Sequence, residues 1–271
     1  MTLLLKTNIE TEVKDNIKGS VARIGGTVNQ LVDFKNCKVT DINILDGGYG
    51  EVKKIWNIKS VKKFIETGKR YTKQAAKHFL YGEEICRDWK TILFDMHFAT
   101  EHDELKHKFD ASISSNVLEH SPNPILLLLN FYFITKKNGY QFHAIPYYKF
   151  TFDVYRQPTP VEHLLQDFVN KTGFNDKTHN EDYHQSAVVK HGFMKIYHNS
   201  HPIAYPSMHF HVFDEKNINE LFSIMFEEVA NDILKTDTIG DSVIIFKNKL
   251  NPDFVQKYKN TILTYSDKFL S

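Results

Sequence analysis

The sequence predicts an α/β fold with a mostly parallel, three-layer sheet of Rossmann-like type, and three observations carry that prediction. Short β-branched runs alternate with helical patterns between residues 20 and 146, and polar turns bearing glycines or acids follow several of those runs. One apolar helix, Ile125 to Phe131, directly follows such a turn. The chain then closes on a helix and an antiparallel strand pair.

Taken in order, residues 1 to 18 read as a loose helix leading into Gly19, and Ser20 to Thr27 as a first strand that includes Gly25 and Gly26. Lys38 to Ile42 is the second strand, with Asp41 near its end. Glycines after a first strand let a ligand approach the backbone, and an acid at the second strand end suits a ribose diol. A plain tight turn and a solvated strand end explain the same residues. Residues 46 to 89 exceed an ordinary connection and hold two lysine-rich helical patterns, the better one from Lys73 to Phe79. Thr91 to Met96 is a third strand, whose Asp95 and Met96 could embrace a purine.

The fourth strand, 111 to 115, runs into Asn116-Val117-Leu118-Glu119-His120 and a proline-flanked loop. Ligands of open α/β sheets bind at such carboxyl edges. Lys137-Asn138-Gly139 makes a turn into a fifth strand, Tyr140 to Pro146. About sixty residues without strand–helix alternation follow, an insertion over 147–213 of the kind that covers or completes a site. Within it, Thr159-Pro160-Val161-Glu162 has the form of a capping box opening a helix of Val161 to Val169, with His163 and Asp167 one turn apart on one face. A further helix is expected after His179. Asp214 caps a helix over 216–229 with a buried stripe of Ile218, Leu221, Phe222, Met225 and Val229. Residues 233–234 and 243–246 form the antiparallel pair, and Leu250 to Ser271 a surface helix and tail.

Composition narrows the function. A net charge of +1 in 271 residues, with lysines and acids interspersed, argues against a nucleic-acid surface. Cys37 and Cys86 have no metal-like spacing and make a poor disulfide framework, which favours the cytoplasm. No stretch suits a signal peptide or a membrane span. A single domain, 1–271, fits this length; oligomeric state is not legible.

The glycines after the first strand, the acids after the second and third, the Asn116 to His120 run with Asn123-Pro124, and the closing strand pair together resemble the class I S-adenosylmethionine-dependent methyltransferases of the type 11 group. The resemblance runs over most of residues 19 to 248. It implies S-adenosyl-L-methionine as cofactor, with Gly25, Gly26, Asp41, Asp95, Met96, Ser115, Asn116 and His120 around it. A narrower resemblance rests on Phe152-Asp153, Arg156, Thr159-Pro160, Glu162-His163-Leu164, His179, His191 and His209-Phe210-His211. It is to a subgroup with a histidine-rich insertion, often linked to surface-polysaccharide (capsule) biosynthesis. That link implies a small-molecule or carbohydrate acceptor, such as a sugar, an activated sugar, or a phosphoryl or phosphoramidate group. There is one departure: the resemblance implies an acid two residues before the first glycine, and Arg23 stands there.

Methyl transfer to a hydroxyl, the favoured reaction, calls for alignment, water exclusion and a base. His179, His209 and His211, with Asp153, are the catalytic candidates, and Tyr155, Arg156 and His163 the substrate-binding ones. If 209–211 is extended, His209 and His211 face one point; with His179 and Asp167 they could hold a divalent transition metal. Histidines that simply bond the insertion to the sheet are the plainer account. For Arg156 the alternatives are an acidic acceptor and a loop-fixing pair with Asp153. Two other functions stay open: a catalytically inactive methyltransferase-like binding protein, which Arg23 favours, and a metal-dependent hydrolase using the insertion histidines.

Overall fold

The computed structural model describes residues 9–25, 32, 34–43, 90–93, 95–186, 208–227, 229–235 and 240–271. Among these residues seven strands form one sheet: β1 (Gly19–Gly25), β2 (Cys37–Asn43), β3 (Lys90–Leu93), β4 (Phe109–Ser115), β5 (Thr135–Pro146), β6 (Val229–Lys235) and β7 (Gly240–Lys247). Their order is β3-β2-β1-β4-β5-β7-β6. The pairs from β3 through β5 are parallel, while β7 is antiparallel to both β5 and β6. This is the expected Rossmann-like methyltransferase topology with its closing antiparallel pair. The order reverses at β1, so the carboxyl ends of β1 and β4 flank the switch point where such sheets bind ligands.

Alternation along the strands fills two apolar layers. Val21, Val39, Ala111, Ile113, Val243 and Ile245 face the layer under α1 (Ile9–Asn16), which contributes Val13. Ala22, Ile24, Ile244 and Phe246 face the larger layer, with α2 (Pro124–Ile134), α3 (Val161–Asn170), α5 (Glu215–Met225) and α6 (Pro252–Tyr265). The short α4 (Asn180–Tyr183) lies between α3 and α5 in the chain. Nearly all of α2 is buried, in keeping with a helix that is apolar all round. Full burial of one such Leu or Phe contributes about 1.5–3 kcal/mol. Asn123 caps α2 by accepting from the Leu126 N–H, and Pro124 takes the first helical position, where its missing N–H is not needed.

Several expected boundaries are corrected. Met96 opens a 3-10 turn, Met96–Glu101, instead of ending β3, because the Asp95 carboxylate accepts from the His97 N–H and starts that turn. The turn expected at Lys137-Asn138-Gly139 lies inside β5, where a register shift opposite β4 accommodates Asn138 at φ 62°. Thr159 does not cap α3. Pro160 occupies that position, while the Thr159 N–H donates to the Val212 carbonyl and its Oγ1 accepts from the Val212 N–H. The helix after Asp214 stops at Met225, and Val229 starts β6. Asp214 does cap it, in a reciprocal box with Asn217. The C-terminal helix is more than surface, since Phe254, Ile262 and Phe269 are buried. Gly26, the Lys73 to Phe79 helix, Cys86 and His191 lie outside the described residues.

Candidate active site and histidine clusters

At the β1 edge Gly25 has φ +85°, and a Cβ there would come within 2.3 Å of the Ser115 carbonyl oxygen and 2.4 Å of Val117 Cγ2. Only glycine lets β1 and β4 stay this close at the switch point. Across from it Ser115 is buried, its hydroxyl donating to Asn116 Oδ1 at 3.3 Å. Asn116 is exposed, with φ 55°. Asp95 is occupied by the N–H and imidazole Nδ1 of His97, and Met96 is buried.

Arg23 and Asp41 are directly opposite in the β1–β2 register. Arg23 Nε and Nη2 donate to Asp41 Oδ1 and Oδ2 at 2.6 and 2.9 Å, a two-pronged pair. Asp41 therefore sits two residues inside the strand end at Asn43, neutralising the arginine that replaces the expected acid. A cationic donor could approach this edge without meeting an uncompensated guanidinium. Ser115 and the exposed side chain of Asn116 stand at this strand edge beside the close β1–β4 approach at Gly25.

The end of the insertion, Met208–Phe213, docks on the loop after β4. Phe210 N–H donates to the Glu119 carbonyl at 2.8 Å, and His120 Nδ1 donates to the Met208 carbonyl at 2.9 Å. His211 Nδ1 donates to the Ser121 carbonyl at 3.0 Å. This segment is irregular rather than a strand, so the expectation that His209 and His211 face one point is corrected: they enter two different clusters.

The first cluster gathers Glu119, His120 and His209, whose donor atoms lie within 4.8 Å of one another. His209 Nδ1 is hydrogen-bonded to Asp153 Oδ2. The other Asp153 oxygen accepts from Arg156 Nη1 at 2.8 Å. Burial works against the Asp153 carboxylate, but His209 and Arg156 outweigh it and hold the carboxyl below its ordinary pKa. Burial, reinforced by the neighbouring His209, lowers His120 and keeps it neutral. Phe152 lies against His209, ring centroids 4.3 Å apart.

Arg156, a substrate-binding candidate, is 2 % exposed in its side chain. Besides Asp153 it donates to Asp182 Oδ2 at 2.7 Å and to the carbonyls of His209 and Phe210 at 2.8 and 3.2 Å. Its guanidinium thus holds the 209–210 backbone and Asp153 together. Tyr155 is 53 % exposed.

The second cluster holds His163, Asp167, His179 and His211. Three of the four metal candidates, Asp167, His179 and His211, meet here; His209 does not, and His163, a substrate-binding candidate, takes its place. Burial lowers His211, and lowers His179 to about 4 with the nearby His211 adding to it. The i, i+4 spacing of His163 and Asp167 on α3 is legible in the sequence. Thr172, Ser121 and Asp182 were missed, because their roles come from tertiary packing that no local pattern announces.

A scan against protein-family profiles finds no match, and no curated protein matches the chain. Solved structures with a similar course include a SAM-dependent methyltransferase from Methanosarcina mazei, 14 % identical, covering 90 % of this chain and 99 % of that one at TM-score 0.47. The YcgJ protein of Bacillus subtilis is 8 % identical over 89 % of this chain and 96 % of that one, TM-score 0.43. The CurJ carbon methyltransferase is 12 % identical over 86 % of this chain, TM-score 0.42, and this chain spans 49 % of its length. The class of fold stated here rests on the strand order.

Proposed function

We propose that this chain is an S-adenosylmethionine-dependent methyltransferase that methylates a hydroxyl of a small polar acceptor. One observation carries the reading: an Asp153–His209 pair, fixed by Arg156, is docked beside the loop that leaves β4 at the switch point of a methyltransferase-type sheet. S-adenosylmethionine, when bound, supplies an electrophilic methyl group on a sulfonium. Ser115 and Asn116 would hold it at the strand edge, beside Gly25.

His209 would receive the acceptor's proton on Nε2 while Asp153 keeps the Nδ1 proton in place and stabilises the resulting imidazolium. Neutral His120 and the aromatic face of Phe152 enclose that base and limit water. The acceptor class favoured is a sugar, an activated sugar or a phosphorylated compound of surface-polysaccharide synthesis, on the resemblance of the 147–213 insertion. The single-domain organisation and a cytoplasmic setting belong to the same proposal. Among the described residues no helix is long and apolar enough to cross a membrane.

The Arg23–Asp41 pair favours a second reading, a methyltransferase-like scaffold without catalysis. Calorimetric titration with S-adenosylmethionine and S-adenosylhomocysteine separates the two. Saturable binding of both is expected of the enzyme; absence of binding by either removes it and leaves the scaffold.

A further inference from the structure

We propose that His163, Asp167, His179 and His211 form a four-ligand site for a divalent transition metal of the zinc class, and that the metal staples the insertion to the loop after β4. The proposal stands independently of methyl transfer. Asp167 Oδ2 lies 3.0 Å from His211 Nε2, 3.3 Å from His163 Nε2 and 3.8 Å from His179 Nε2. Tetrahedral zinc with bonds of about 2.0–2.1 Å sets its donor atoms roughly 3.3–3.4 Å apart; the three separations from Asp167 bracket that edge, and all four donor atoms lie within 4.8 Å of one another. Imidazole and carboxylate together suit zinc or iron better than calcium or magnesium.

Two features of the geometry suit a cation in this cluster. His179 is 7 % exposed, and its buried Nε2 has no hydrogen-bond partner, lying 3.7 Å from Asp176 Oδ2 and 3.8 Å from Asp167 Oδ2. His211 is fully buried, and its Nδ1 proton is given to the Ser121 carbonyl. Its Nε2 faces Asp167 Oδ2 at 3.0 Å. A cation among these atoms would take both as ligands.

The supporting shell is also present. Thr172 Oγ1 donates to Asp167 Oδ1 at 2.9 Å, fixing the carboxylate, and Ser121 fixes the ring of His211. The neighbouring Glu119, His120 and His209 group brings together three side chains, one fewer than this four-residue group. Four protein ligands leave no open position, which makes the site structural and argues against a metal-dependent hydrolase. The ligands come from α3, the turn before α4 and the Met208–Phe213 segment. The metal would therefore fix His211, and with it the adjoining His209, against the β4 loop.

The test is metal analysis of the purified full chain, then titration of chelator-treated protein with Zn2+ and with Co2+ as a spectroscopic probe. About one metal per chain, an intense tetrahedral Co2+ absorption band and a higher melting temperature with Zn2+ are expected. His163→Gln, on the half-exposed ligand, and His179→Gln should abolish the band. They should weaken Zn2+ binding by more than the roughly 10–100-fold typical of losing an outer partner, which is the effect expected of Thr172→Val. His209→Gln should keep the metal. Should His179→Gln fail to fold, His163→Gln alone decides. Absence of metal and of the Co2+ band, as for a protonated His211 simply paired with Asp167, would overturn the proposal. So would binding that survives His163→Gln. Neither result bears on donor binding, which calorimetry reads separately.

Discussion

Acidification should expose the cost of keeping His143 neutral in the centre of the sheet. This residue of β5 is fully buried among Phe131, Phe222 and Phe246, with only Ser114 Oγ at 2.7 Å and Gln141 Oε1 at 3.1 Å as polar partners. Among the described residues no charged side chain compensates an imidazolium there, and burial lowers its pKa from 6.5 to about 3. Below pH 6.5 the unfolded chain binds a proton that the folded chain refuses, so stability falls as pH falls, down to the folded value. At pH 5 the gap from 6.5 is 1.5 units, an effect of about 2 kcal/mol relative to pH 7.5. Urea denaturation of the wild type and of His143→Gln at pH 7.5 and 5 measures it. The variant should be less stable at pH 7.5 by about 1–3 kcal/mol, through its poorer hydrogen bonds, yet lose about 2 kcal/mol less on acidification. Taking the difference cancels the other histidines. Parallel losses in both proteins would refute the reasoning.

Three further outcomes follow from the geometry. Arg156→Lys keeps the charge but loses most of four hydrogen bonds, and should cost roughly 2–4 kcal/mol in urea melts while donor affinity is unchanged; a cost below about 1 kcal/mol would contradict the fixing role. Gly25→Ala drives a Cβ into the Ser115 carbonyl at a positive φ, so the strain of about 1–3 kcal/mol should accompany an S-adenosylhomocysteine affinity at least about tenfold weaker, and an unchanged calorimetric Kd would exclude Gly25 from the cofactor edge. Arg23→Ala leaves the largely buried Asp41 carboxylate without its guanidinium and should destabilise by roughly 3 kcal/mol, with the Arg23→Ala/Asp41→Ala double variant recovering part of that loss; strict additivity would show the pair to be uncoupled.

The individual strands, the carboxyl edge after β4 and the Asp214 cap were legible because each depends on local chemistry: β-branched alternation, a polar turn, and an acid in front of an apolar stripe. Boundaries failed where tertiary contacts outbid local preference. Thr159 pairs with Val212 instead of capping α3, and Val229 leaves its helix to pair opposite Phe246 in the sheet.

The candidate site divides in the same way. From the sequence alone came its ingredients, an insertion rich in histidine, and one piece of geometry, His163 and Asp167 a helical turn apart. The tertiary structure decided the partnerships. Residues 208–213 pack as an irregular segment on the β4 loop, so His209 turns to Asp153 and His211 to Asp167. Those contacts join residues 56 and 44 positions apart, and such distant pairings are set by how the insertion packs against the sheet, which no periodicity within either segment encodes.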